Sequence, residues 1–138
     1  MDTQEDPELF EEVAAGLKAQ ESSGECLTIR NLQKVYSSGK KAVNGLNVEM
    51  YNGQIFALLG HNGAGKTTTI SMLTGMLSAS GGHAFLGNIN MFEDVTELRK
   101  QIGLCPQHDI LFKSLTPLEH LNFYAMIKGV KDPKVRKQ

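Results

Sequence analysis

Gly60-His61-Asn62-Gly63-Ala64-Gly65-Lys66-Thr67 satisfies the phosphate-loop pattern G-x-x-x-x-G-K-[ST] at every fixed position. Ahead of it, Gln54-Ile55-Phe56-Ala57-Leu58-Leu59 is mostly apolar, which predicts a strand buried on both faces. Behind it, Thr67 to Leu73 reads as a helix, with Ile70, Leu73 and Leu77 at helical spacing and Gly81-Gly82 to stop it. Glycine at 60, 63 and 65 lets the backbone close on phosphate oxygens with no Cβ in the way. The N–H groups of Asn62 through Thr67 are expected to point inward, with the positive end of the helix behind them. Lys66 then supplies a point charge for the β and γ phosphates, and Thr67 a hydroxyl for Mg²⁺. Strand, glycine-rich turn and helix together predict a site for a nucleoside triphosphate.

The rest of the composition sets bounds on this reading. A chain of 138 residues holds one small domain with a real core, yet is short for a complete enzyme of this kind. Hydrophobic content of 41% and charged content of 21% are ordinary for a globular protein. No apolar run is long enough to span a bilayer, and the acidic start Met1 to Asp6 lacks the apolar region of a signal peptide. Cys26 and Cys105 fall in predicted strands and read as buried free thiols, with little support for a disulfide or metal site. Residues 1–25 hold eight acids and one base, which leaves seven acids and thirteen bases, net +6, in the remainder. A basic body suits a polyphosphate ligand or a membrane surface, and a solvated basic face explains it equally well.

Taken in order, the chain begins with an appendage. Asp6-Pro7 gives an N-cap and N1 proline, and Leu9, Phe10, Val13, Ala14 and Leu17 share a helical face. Gln20 to Gly24 reads as a linker. From Cys26 the period changes to two, with Leu27 and Ile29 alternating with polar residues and Val35-Tyr36 after a short break. Ser37 to Lys40 is a turn. Lys41 to Val43 and Leu46 to Met50 read as two strands joined around Asn44-Gly45, and Asn52-Gly53 turns into the loop's own strand. Further on, Gly87-Asn88 joins Ala84-Phe85-Leu86 to Ile89 as a hairpin. Thr96 to Lys100 is a short helix and Ile102 to Cys105 a short apolar strand. Thr116-Pro117-Leu118-Glu119 is a capping box opening a helix with Leu118, Leu121, Ala125 and Met126 as its buried stripe and Gly129 at its end. Asp132-Pro133 repeats the helix-start signature, and a final helix of so few residues cannot stand alone, so a domain interrupted rather than finished is expected.

Four stretches carry a resemblance: Asn31 to Tyr36, Leu58 to Gly75, Gly103 to Asp109, and Leu115 to Gly129. They resemble the nucleotide-binding domain of ATP-binding cassette (ABC) transporters. His61 and the run Cys105-Pro106-Gln107-His108-Asp109 point to subfamily A, the lipid-exporting group. The likeness spans about residues 26–138, the N-terminal half of such a domain, and leaves 1–25 as an acidic helix and linker. It implies an α/β fold, a P-loop NTPase of the ABC ATPase type with an antiparallel β portion, an incomplete core and the start of the helical subdomain.

The resemblance also implies roles. Tyr36, by the residues alone an ordinary strand aromatic, is similar to the ring that stacks on adenine. Gly60, His61, Asn62, Gly63, Ala64, Gly65, Lys66, Thr67 and Thr68 form the cradle for ATP. Gln107 is similar to the loop glutamine that reaches Mg²⁺, together with Thr67, and positions the attacking water. His108 and Asp109 read as loop hydrogen-bonding residues. Lys66 and Gln107 are the candidate catalytic groups. The family's LSGGQ-type signature, a strand ending in Asp-Glu and a switch histidine do not follow Gln107, and Ser78 to Gly82 resembles the signature only superficially. Little or no turnover by this chain alone is therefore expected. The implied partners are a second nucleotide-binding domain and a transmembrane domain, with no nucleic acid. The implied place is the cytoplasmic side of a membrane within a transporter, and soluble or aggregating alone. A short ATP-binding or transporter-docking module without hydrolysis is the alternative. A separate kinase or GTPase is disfavoured because no second acidic metal motif and no Asn-Lys-x-Asp follow.

Overall fold

In the computed structural model, which describes residues 13–108 and 110–130, the chain forms two compact units, one through Arg99 and the other from Lys100. The first unit is built on β1 (Cys26–Val35), the inner strand of an antiparallel sheet. Around it lie β2 (Lys41–Tyr51), β3 (Gly81–Leu86) and β4 (Ile89–Asn90), in the order β2-β1-β3-β4. The helices are α1 (Ala15–Ser23), α2 (Lys66–Leu73) and α3 (Val95–Gln101), with α4 (Pro117–Ile127) in the second unit. The turn at 36–40 makes β1 and β2 a hairpin: Tyr36 N–H donates to Lys40 O at 2.9 Å and Gly39 N–H to Tyr36 O at 2.8 Å.

Ile29, Leu32, Met72, Ala84, Met91 and Leu98 are fully or almost fully buried and form the apolar centre of the first unit. The break in β1 is a bulge. Pairing with β2 slips between Ile29 and Leu32, where Asn31 takes φ 49°. Asn31 O comes so close to β3 that a Cβ on Gly82 would sit 2.2 Å from it, and Gly82 has φ 85°. Only glycine serves there. So the Gly81-Gly82 pair belongs to a strand entry, and α2 ends earlier, at Leu73, with Gly75 N–H on Met72 O at 3.1 Å. Ile70, expected on the buried face of this helix, is 45% exposed, and Thr69, Met72 and Leu73 are the residues it buries.

Several other expectations are revised. Asn44-Gly45 does not turn a hairpin: β2 runs straight through it, and the pairing only slips between Leu32↔Leu46 and Gln33↔Asn44. The supposed linker Gln20 to Ser23 is helical. Glu25 N–H reaches Gln20 O at 3.0 Å and Gly24 N–H reaches Glu21 O at 3.4 Å, a Schellman closure. Side chains tie this helix end to the sheet. The Gln20 amide pairs with the Asn52 backbone, accepting its N–H at 2.7 Å and donating to its carbonyl at 3.4 Å, and Glu21 pairs with Arg30 at 3.0 Å. The Asp6-Pro7 start, like Asp132-Pro133 and Asp109, lies outside the described residues.

The largest departure is Gln54 to Leu59. It pairs with no strand among the described residues, and Ile55 and Leu59 are 101% and 86% exposed. A parallel strand needs neighbours on both sides and helices above and below, and the four-stranded antiparallel sheet closes without it. The same holds for Ile102 to Cys105: it is irregular, and Cys105 is exposed, whereas Cys26 is buried as expected.

In the second unit the capping box forms: Thr116 Oγ1 accepts Glu119 N–H at 3.3 Å, and Glu119 Oε2 accepts Thr116 N–H at 2.7 Å. The stripe expected on α4 is outside, with Leu118, Leu121 and Met126 more than half exposed. The buried residue is His120. Its Nε2 accepts Phe112 N–H at 2.8 Å and its Nδ1–H donates to Thr116 O at 3.0 Å. Phe112 stacks on its ring at 6.0 Å and meets Phe123 edge-on at 5.5 Å. The face that packs is the one this preceding loop covers, and among the described residues of the unit no second helix or strand lies over the leucines.

On the sheet face shared by Cys26, Thr28 and Arg30, the Tyr51 hydroxyl donates to Glu49 Oε2 at 2.6 Å while Arg30 pairs with Glu49 Oε1. The phenol's hydrogen bond, and then Arg30, hold Glu49 below the usual carboxylate range, and the carboxylate in turn pushes Tyr51 up to about 12. A phenol held protonated in the fold stabilises it fully below the unfolded value near 10, and that contribution is lost as pH rises from there towards 12. Absorbance titration of the tyrosinate band should show one of the three phenols ionising near pH 12, returning to about 10 in Glu49→Gln. A Tyr51 that ionises at about 10 in the unaltered chain would contradict this geometry.

Candidate functional site

The loop from Gly60 is held in place by β2. Gly65, the N-cap of α2 with φ 90°, lies so close under this strand that an added Cβ would stand 2.3 Å from Ala42 O. The motif's second fixed glycine is therefore demanded both by its left-handed backbone and by contact with a neighbouring strand. Ala64 N–H donates to His61 O at 3.1 Å, which closes the tip of the loop. Of the N–H groups expected to face a ligand, that of Ala64 is thus already engaged.

The first turn of α2 presents further donors. Thr69 N–H donates to Gly65 O at 2.8 Å, and among the described residues the N–H groups of Lys66, Thr67 and Thr68 have no backbone acceptor. Unpaired donors at a helix start, with the positive dipole end behind them, form an anion site. Lys66 bends back over this turn, its ammonium donating to Gly60 O at 2.5 Å and His61 O at 2.9 Å. The cation thus sits across the mouth of the loop, on two carbonyls that phosphate oxygens outbid as charged acceptors. Thr67 is exposed, and its hydroxyl meets no partner among the described residues, so it is free to ligate a cation. His61 and Asn62 are exposed at the tip, with His61 Nδ1–H on Asn62 O at 2.9 Å.

Tyr36 joins this group from the β1–β2 turn. Its hydroxyl lies 3.3 Å from Thr68 Oγ1, which links residues thirty-two positions apart, and its ring is 39% exposed. One ring face carries Lys34 Nζ at 5.7 Å from the centroid. The fold therefore brings Tyr36, Lys66, Thr67 and Thr68 to one side of the first unit. Ala42, Lys34 and Ser80 also shape this arrangement, a role the sequence by itself does not give them. Their partners Gly65, Ser78 and Val35 are 23 to 45 positions away, and no local pattern marks such pairs.

Gln107 belongs to the second unit. It is exposed in a bend and, with Leu104, Cys105, Pro106, His108, Ile110, Leu111 and Tyr124, lines a groove of about 480 Å³. Among the described residues no cluster of three or more His, Cys, Asp or Glu side chains forms a metal centre, and no helix is long and apolar enough to cross a membrane.

Comparison with known proteins agrees with this geometry. The family model of the ABC transporter matches residues 43–138. Human phospholipid-transporting ATPase ABCA3 is 48% identical over 127 residues, covering 90% of this chain and 7% of the human protein. ABC transporter A family member 5 of Dictyostelium discoideum is 49% identical over 111 residues, covering 78% of this chain and 7% of that protein. Among solved structures, the ATP-binding subunit of an ABC transporter superposes with a TM-score of 0.70 at 26% identity, covering 80% of this chain and 46% of its own. An ATP-binding cassette in its ADP conformation gives 0.64 at 26% identity, covering 81% and 44%. The chain thus spans about 7% of the curated relatives it matches. The phosphate loop, its place under β2 and these likenesses agree: the chain belongs to the ABC transporter family, within the ATP-binding domain of its subfamily A.

Proposed function

We propose that Gly60 to Thr68 and Tyr36 bind MgATP, and that residues 26–138 serve as the N-terminal half of a nucleotide-binding domain in a lipid transporter. The observation that carries the reading is the open first turn of α2, with three N–H groups unaccepted and the Lys66 ammonium across the loop's mouth. In this reading the donors at 66–68 and the Lys66 ammonium take the β and γ phosphates, and the Thr67 hydroxyl holds the metal. Mg²⁺, when bound, neutralises charge on the phosphates. Tyr36, tethered to Thr68, offers its half-exposed ring to the base.

Gln107 is proposed to orient the attacking water and the metal, on the strength of the family resemblance and its place in an exposed bend. Hydrolysis draws its signature motif and general base from elsewhere in the transporter, since neither follows Gln107 here. Lipid as cargo is supported by the human relative, a phospholipid-transporting ATPase. Residues 1–25 are proposed as an appended segment, whose Gln20 and Glu21 are tied to Asn52 and Arg30. The working place is the cytoplasmic face of a membrane, beside a transmembrane domain and a second nucleotide-binding domain.

Lys66→Ala should weaken MgATP binding by at least about tenfold in calorimetric titration, since it removes the charge-assisted contact; unchanged affinity would remove the phosphate-loop assignment. Tyr36→Ala should cost on the order of 1–2 kcal/mol of MgATP affinity, while magnesium tripolyphosphate binds as before. An equal loss for both ligands would place the effect in folding, against a stacking role.

A further inference from the structure

Tyr36 sits at the end of a strand, where a half-exposed ring presents a defined face only if something holds it. That support comes from Ser78 to Ser80, the segment that follows α2. Ser80 Oγ accepts Val35 N–H at 3.0 Å and donates to Val35 O at 3.2 Å, and Ser80 N–H donates to Gln33 O at 2.9 Å. The last residue of β1 is thus pinned on both of its polar groups. Lys34 Nζ donates to Ser78 O at 2.6 Å and stands 5.7 Å from the centre of the Tyr36 ring, within the range of attraction between a cation and an aromatic face.

The two contacts work together. A lysine head on a four-carbon stem ordinarily samples many positions, and the carbonyl of Ser78 fixes this one beside the ring. The hydroxyl end of the ring is fixed separately, on Thr68. With one face occupied by the cation and the hydroxyl tied to α2, the opposite face is left for a flat partner. The ammonium also draws ring electron density to its own side, which favours an electron-rich base on the other.

We propose that Lys34 is a positioning residue for nucleotide binding: braced on the Ser78 carbonyl, its ammonium holds the Tyr36 ring in the plane that receives the base. This rests on the stacking role proposed for Tyr36. The test compares MgATP with magnesium tripolyphosphate, which lacks the base, on the full chain and its Lys34→Met, Lys34→Arg and Tyr36→Ala variants. Lys34→Met should lose about two- to fivefold in MgATP affinity and nothing for tripolyphosphate, and Lys34→Arg, which keeps a cation for the ring, should retain the wild-type value. Lys34→Gln gives the same contrast if the methionine variant does not fold. Four results would overturn the proposal. If Tyr36→Ala loses base-dependent affinity while Lys34→Met does not, stacking stands and Lys34 has no part in it. If Lys34→Met weakens both ligands equally, its charge acts on phosphate or on folding. If Lys34→Arg loses as much as Lys34→Met, a cation over the ring is not what matters. If Tyr36→Ala leaves MgATP affinity intact, the stacking role fails and the positioning role with it.

Discussion

The carbonyl oxygen of Ala42 decides where the phosphate loop lies. With 2.3 Å to the point where a Cβ on Gly65 would be, β2 can rest on the loop only because that residue has no side chain. Other features follow from this contact. It places the start of α2 next to the β1–β2 hairpin, which is why the Tyr36 hydroxyl can reach Thr68. The same helix buries Met72 and Leu73, which with Ile29 and Leu32 belong to the apolar core. The left-handed glycine, the helix dipole and the hairpin are thus one mechanical unit. A side chain at 65 would separate the sheet from the phosphate loop.

Much of this could be read from the chain before any coordinates. The loop and its helix, the turn at 36–40, the hairpin at Gly87-Asn88 and the capping box at Thr116 each depend on residues within a few positions of one another. What could not be read depends on distant partners. Asn44-Gly45 has the best two-residue hairpin signal, but β1 offers β2 a continuous edge and the dipeptide becomes a bulge. Gly81-Gly82 looks like a helix stop and instead lets β3 pass the Asn31 carbonyl. His120 was missed because a polar residue buries itself only when both ring nitrogens find partners, here Phe112 N–H and Thr116 O. The loop and the start of α2 were legible from the motif, whereas the contacts of Lys34, Ala42 and Ser80 that hold them had no local mark.

The segment before the loop shows the limit of pattern. Ile55, Phe56 and Leu59 have the composition of a central strand and are exposed among the described residues. Composition states what a segment would bury, and the fold buries it only where neighbouring strands are present. Leaving a side chain of this size in water forgoes about 1.5–3 kcal/mol each, so a strand that pairs at Gln54 to Leu59 would gain substantially. The solved ATP-binding subunit this chain resembles is more than twice the aligned length, since 46% of it is covered. Exposed apolar residues beside a formed phosphate loop are consistent with a domain whose sheet takes in more chain than these residues.

The most direct measurement is a titration with MgATP followed residue by residue through backbone amide chemical shifts. The largest shifts are expected at Gly63, Gly65, Lys66, Thr67 and Thr68, with a second set around Tyr36 that disappears when tripolyphosphate replaces ATP. Shifts of equal size spread over the basic surface, or a largest response away from the loop, would contradict it and leave the phosphate-loop sequence as a turn without a ligand.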